Sequence, residues 1–285
     1  MPAVSRRPGT IMNKPRRVTV GLALGSGGGR GLAHIGVIEV LERHNIPIDF
    51  IAGSSVGAMI GGLYASGVTT NKMQQIALST DWWRIVSVLS DPSLRRGLIS
   101  GERATAFIER HLFSKDIEDC LIPFAAVATD LATGESVSLD KGSAASAIRA
   151  SISIPLAFAP VEIGGRLLAD GGLSAPVPVD VVRAMGADVV LAVNLDRHYA
   201  QRTWNPGWYG IADRSLTILI HHLALRDVAR ADVVMDVEVE RGPWFQFTNG
   251  LGKIRSGERA AEEVVPQLEA LLCEQRSPSR TTRAV

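Results

Sequence analysis

Cysteine is almost missing from this chain of 285 residues: only Cys120 and Cys273 occur, far apart and in no metal-ligand spacing. Two distant thiols supply neither a disulfide framework nor a cysteine zinc site, so they read as free thiols in a reducing, cytoplasmic compartment. A surplus of one charge sign is also missing. Thirty Lys and Arg face 29 Asp and Glu, a net charge of +1, which argues against a nucleic-acid binder driven by a strongly basic surface. No apolar run approaches the roughly 18 residues needed to span a bilayer. The N-terminus opens on arginines without an apolar signal core, so no secretory leader is expected. Membrane contact is then peripheral, at the inner face. What is present is the composition of a folded protein, 46% hydrophobic and 21% charged, enough to bury a core without disulfides or structural metals.

Residues 1–17 carry Arg6, Arg7, Lys14, Arg16 and Arg17, three prolines and no acid, and read as a flexible basic tail. Residues 274–285 are polar and read as a second flexible tail. Between the tails, the apolar run Val18–Leu24 is a buried strand, followed by the glycine-rich Gly25–Gly31. Leu32, Ile35, Ile38 and Leu41 have helical spacing, and Asn45 and Pro47 end that helix. Ile48–Ala52 is a second strand and Val56–Ser66 a second helix closed by Gly67. This alternation implies an α/β fold of three layers, α/β/α, around a mainly parallel sheet. Phe124–Thr129 and Ser136–Leu139 pair as strands, and Gly164-Gly165 turns a hairpin. Val179–Met185 is a short helix and Val189–Leu195 a further buried strand. The core is expected over 18–200, with a mainly helical extension over 201–273, strand-like at Val233–Val239, packed on it.

Three glycine-rich points follow expected strands. Gly53-Ser54-Ser55-Val56-Gly57 is a G-x-S-x-G sequence between strand and helix. A nucleophile elbow needs that pattern: a strained turn exposes the central serine, Ser55, and flanking glycines remove side chains that would clash. Gly25-Ser26-Gly27-Gly28-Gly29-Arg30-Gly31 lacks the order of a phosphate loop and the third glycine of a dinucleotide fingerprint. Its amides suit a bound anion, either a phosphate or an oxyanion, and beside an elbow the oxyanion reading is the better. Asp170-Gly171-Gly172 follows the strand Arg166–Ala169 and can project an aspartate into a shared cleft, but taken alone it reads better as a solvated turn. Arg30 either holds the glycine loop, attracts a lipid phosphate or forms a structural salt bridge. Trp82-Trp83 reads as part of a core helix ahead of an interfacial lip, and His34 as a packing or capping residue. His221-His222 lacks a third ligand, so no metal and no cofactor are expected.

Four stretches, GLALGSGGGRGLAHIGVIEVLE, IAGSSVGAMIGGLYASG, RASISIPLAFAPV and LLADGGLSAPVPVDVV, together resemble the patatin-like phospholipase family. The likeness is to its bacterial branch related to neuropathy target esterase, and it runs from about Val18 to Leu195. It implies a patatin-like α/β/α fold with 18–200 as catalytic core, a Ser-Asp dyad, and calcium-independent esterase, phospholipase A or lysophospholipase activity on lipid or acyl esters. By position Ser55 is the nucleophile, Asp170 the base, and the Gly27 and Gly28 amides the oxyanion donors. Gly29, Arg30, Gly31, Gly53, Gly57, Gly171 and Gly172 complete the supporting motifs. The chain departs from the family pattern at Ser26, where glycine is usual. Two competing readings are an α/β-hydrolase whose triad is completed by His198 or His221, and a nucleotide-binding module gripping phosphates with Gly25–Gly31. Nothing in the sequence indicates oligomeric state.

Overall fold

The computed structural model describes residues 17–79, 101–197, 207–239 and 249–276. Trp82-Trp83 and His198 lie outside the described residues. Strand β1 (Val20–Leu24) leads through a 3-10 turn (Gly28–Leu32) into α1 (Ala33–Arg43), then β2 (Phe50–Ser54), α2 (Val56–Ala65) and α3 (Thr70–Ala77). After α4 (Glu102–His111) come β3 (Phe124–Asp130), β4 (Ser136–Leu139), α5 (Ala144–Ser151), β5 (Val161–Ile163) and β6 (Arg166–Asp170). The chain closes with α6 (Val179–Ala184), β7 (Val189–Asn194), α7 (Trp208–Val228), β8 (Val233–Asp236) and α8 (Gly250–Arg276).

The eight strands among the described residues join one mixed sheet in the order β5-β6-β3-β2-β1-β7-β8, with β4 paired to β3. The central run β3-β2-β1-β7-β8 is parallel, whereas β4 and β6 pair antiparallel with β3, and β5 with β6. Strand faces alternate large and small. Val20, Leu22, Leu24, Ile51, Val189, Leu191 and Val193 pack with α1, α2 and α8 in one buried cluster. On the other face Ala23, Ala52, Ala125, Val190 and Ala192 meet α6 and Ala224 of α7. Small residues there let α6 approach closely: a Cβ on Gly21 would fall 2.1 Å from Val182 Cγ1. These are the three layers of an α/β/α fold, with the period of two setting which helices lie on which face.

Local signals explain the element ends. Asn45 adopts a left-handed φ of 53°, and Ile46 N donates to Leu41 O at 2.9 Å, closing α1 before Pro47. Gly164 and Gly165 take φ values of 58° and 75° in the hairpin turn, a backbone that suits glycine. Two strands are displaced from their expected spans. β1 starts at Val20 because the Thr19 amide and hydroxyl both donate to Asp188 Oδ2 at 2.8 Å instead of entering a ladder. β2 continues through Gly53 and Ser54, which pair with Leu24 and Val127. The turn after β2 is therefore Ser55 itself. Among the described residues, no helix is long and apolar enough to cross a membrane.

Candidate active site

Ser55 is the single residue between β2 and α2, at φ 56° and ψ −125°. Such a backbone is sparsely populated for a residue with a side chain and persists where surroundings hold it. Two close approaches do so. A Cβ on Gly53 would lie 2.3 Å from Gly57 C, and one on Gly57 would lie 2.2 Å from Leu24 O. Only glycines let β1, β2 and α2 converge here. The Ser55 amide donates to Ser151 Oγ at 2.9 Å, and Ser151 Oγ donates to Val127 O at 2.5 Å. The last residue of α5 thus ties the elbow to β3. Ser54 points away: its hydroxyl donates to Ala175 O at 2.5 Å.

Register brings Asp170 to Ser55. Val127 pairs with Ser54 of β2 on one edge and Ser138 of β4 on the other. Ala128 pairs with Val137 of β4 and with Asp170 of β6. β2 and β6 therefore share one edge of β3, run in opposite directions, and meet end to end at adjacent rungs. Ser55 Oγ donates to Asp170 Oδ2 at 2.6 Å, and the Gly172 amide donates to Oδ1 at 2.7 Å. Thr129 Oγ1 donates to Asp170 O at 2.8 Å, and Asp170 N to Ser153 O at 3.0 Å. A Cβ on Gly171 would fall 2.1 Å from Val127 O, and one on Gly172 3.0 Å from Asp170 Oδ1. Burial pushes the Asp170 carboxyl up from 3.8 to about 6, although the Ser55 and Gly172 hydrogen bonds pull it down.

The glycine loop lies beside this pair, at the end of β1. Gly25 N donates to Val193 O at 3.1 Å and Ser26 N to Pro176 O at 2.8 Å. Gly25 O accepts from His34 Nε2 at 2.8 Å. His34 is fully buried, and burial lowers it to about 4, so it is a neutral loop anchor with Nδ1 unpartnered. Buried Arg30 donates from Nε to Gly27 O at 3.1 Å, from Nη1 to Leu195 O, and from Nη1 to Asp196 Oδ1 at 2.9 Å. Arg30 therefore combines the loop-holding and salt-bridge roles. Gly29 and Gly31 are buried in the 3-10 turn, and a Cβ on Gly31 would fall 2.2 Å from Val56 Cγ1 beside the elbow. Gly28 has φ 57°. Among the described residues, the Gly27 and Gly28 amides donate to no protein acceptor.

No histidine among the described residues bonds to Ser55 or Asp170; His221 Nδ1 donates instead to Asp196 O at 3.0 Å. Nor are any three His, Cys, Asp or Glu side chains among them grouped to hold a metal ion. Cys120 and Cys273 are both free. The supports that sequence reasoning missed come from α5 and the turn after it. Buried Arg149 donates from Nη1 to Ser153 Oγ at 2.6 Å and from Nη2 to Ala159 O at 3.0 Å. Its polar side chain in a short apolar helix was the available signal, inside the stretch RASISIPLAFAPV.

A serine in the sharp turn after an interior strand, bonded directly to a buried aspartate, sits in a protein of the three-layer α/β/α class. The chain belongs within that class to the patatin-like phospholipase family, whose sequence profile matches residues 22–183. An uncharacterized NTE family protein of Mycobacterium tuberculosis is 44% identical over 178 residues, covering 62% of this chain and 49% of that protein. Lysophospholipase NTE1 of Debaryomyces hansenii is 35% identical over 182 residues, covering 62% of this chain and 12% of that one. The chain thus spans about half the length of the mycobacterial relative. The crystal structure of VipD from Legionella pneumophila shares the fold, with a TM-score of 0.52 at 14% identity, over 90% of this chain and 67% of that one.

Proposed function

We propose that this chain is a serine acyl hydrolase that cleaves lipid esters through a Ser55–Asp170 dyad, with Gly27 and Gly28 as oxyanion donors. The observation that carries this reading is the 2.6 Å hydrogen bond from Ser55 Oγ to an aspartate that burial has raised to about 6. A free aspartate is a weak base toward a hydroxyl, whereas one raised toward neutrality is stronger and still largely ionised above pH 7. Asp170 accepts the Ser55 proton as Oγ attacks the ester carbonyl. The carbonyl oxygen becomes an oxyanion facing the Gly27 and Gly28 amides, near the positive N-terminal end of α2. Collapse breaks the bond to the leaving alcohol, which takes the proton from Asp170 and leaves an acyl group on Ser55. Water then gives a proton to Asp170 as its oxygen attacks the acyl carbon; the bond to Ser55 Oγ breaks, the carboxylic acid leaves and Asp170 returns the proton to Oγ.

The name of the D. hansenii relative points to lysophospholipids within the wider class of acyl esters. We take residues 18–200 as the catalytic unit, with β8 and the late helices as support. A lipid substrate fits a protein working in the cytoplasm with peripheral contact at the inner membrane face. The test is hydrolysis of lysophosphatidylcholine by purified variants. Ser55→Ala and Asp170→Asn are expected to lose on the order of 10,000-fold in turnover. Each folded His→Ala variant at His34, His44, His111, His198, His221 and His222 should keep most activity. A folded His198 or His221 variant as inactive as Ser55→Ala would instead establish a triad.

A further inference from the structure

Residues 175–177 link the Asp170 turn to α6, and each is held from a different quarter. Ala175 O accepts from Ser54 Oγ at 2.5 Å. Pro176 O accepts from the Ser26 amide at 2.8 Å. Val177 N donates to Asp227 Oδ2 at 3.3 Å. The first tie runs to the residue before the elbow serine and the second to the glycine loop. The third runs to α7, beyond the stretch 22–183 that the family profile matches. The strap also packs under the loop: a Cβ on Gly25 would sit 3.3 Å from Val177 Cγ2.

Asp227 is only 1% exposed. Its Oδ1 accepts from Arg230 Nη2 at 2.9 Å, and Arg230 Nε in turn reaches Asp180 Oδ1 of α6 at 2.9 Å. Arg226 Nη2 stands 3.8 Å from Oδ1. Desolvating a carboxylate is costly, so a buried one persists where its partners are fixed. Here the partners are Arg226 of its own helix, Arg230 just past that helix's end, and one amide of the strap.

We infer that Asp227 is a positioning residue for the dyad: its carboxylate anchors the 175–177 strap, from which Ser54 and the glycine loop both hang. It touches neither Ser55 nor Asp170. Its effect passes through two hydrogen bonds that set how the elbow faces the loop. Such an anchor matters to turnover because small misplacements of reacting groups cost large factors in rate. The inference rests on the Ser55–Asp170 reading above.

The test compares Asp227→Ala and Asp227→Asn on p-nitrophenyl butyrate, with active sites counted by fluorophosphonate titration. Asp227→Ala is expected to lower kcat per active site by about 10- to 100-fold, with KM little changed. Asp227→Asn keeps an oxygen for the Val177 amide and should recover most of that loss. A role in stability alone would lower the melting temperature and the count of active sites without lowering kcat per site. If Asp227→Ala does not fold, Asp227→Ser, whose hydroxyl is too short to reach Val177, takes its place. Turnover within about two-fold of wild type in the Ala or Ser variant would overturn the inference. So would an Asn variant as slow as the truncated one. A wild-type protein with no Ser55-dependent hydrolysis would remove the underlying dyad reading as well, and so is a distinct failure.

Discussion

At the scale of single residues, the burial of Asp170 has consequences for stability as well as for chemistry. Its folded value of about 6 lies above the unfolded 3.8. Between those limits the folded state keeps a proton that the unfolded state has released. Stability therefore falls as pH rises through that window, and at pH 8 the full cost of a buried charge is present, about 3 kcal/mol at 1.36 kcal/mol per unit. Asp170→Asn removes the charge and keeps the shape. It should be more stable than wild type at pH 8 by about 1–3 kcal/mol, with the difference gone below pH 4. Urea unfolding at both values checks this, and a less stable Asn variant at pH 8 would mean that the Ser55 and Gly172 hydrogen bonds outweigh burial. Ser55 was legible as a candidate from its own motif and Asp170 from the family resemblance, and the structure joins the two by a 2.6 Å hydrogen bond. Ser151 and Asp227 were not legible. Their partners, Ser55 and Val177, lie far along the chain, and nothing local marks either residue as bound to them.

At the scale of elements, the loop between β1 and α1 separates turnover from binding most cleanly. A Cβ on Gly27 would fall 2.7 Å from Leu195 Cδ1, the tip of a flexible side chain, so alanine there should fold with the loop displaced. Gly27→Ala is expected to lower kcat by about 100- to 1000-fold while KM moves little, because misaimed amides are missed most in the transition state. Steady-state kinetics on a soluble ester decides it: a change confined to KM would make the loop a substrate-holding device. The β1-loop-α1-β2-elbow-α2 succession was readable because apolar runs and helical spacing are local properties. The end-to-end meeting of β2 and β6 on one edge of β3 was not. Short strands such as Val161–Ile163 and Arg166–Asp170 announce a hairpin, while their place in the sheet depends on register against a distant strand.

At the scale of the molecule, the helix that starts behind the glycine loop is braced by the last one. A Cβ on Gly257 of α8 would lie 1.9 Å from Ala33 O, and one on Gly36 of α1 would lie 2.1 Å from Ile254 O. The two helices touch backbone to backbone at the start of α1. Gly257→Ala must push them apart, and overpacking of this kind costs about 1–3 kcal/mol. A lowered melting temperature is expected, with activity reduced in proportion to the shift of α1 from the loop. An unchanged melting temperature would mean the crossing is looser than its glycines require. The three layers were foreseeable from alternating strands and helices, as were the antiparallel hairpins β3-β4 and β5-β6, but the antiparallel pairing of β6 with β3 was not. Nor was the pairing of β8 with β7, since a lone strand between long helices gives no partner in the sequence.

In the proposed mechanism one serine, activated by one aspartate, forms a covalent intermediate. Labelling with a fluorophosphonate followed by peptide mass mapping tests it most directly. The expected result is a single adduct per chain on Ser55, absent from Ser55→Ala, strongly slowed in Asp170→Asn and retained at near wild-type rate in the folded histidine variants. An adduct on another residue, or labelling of Ser55 that proceeds undiminished in Asp170→Asn, would contradict it.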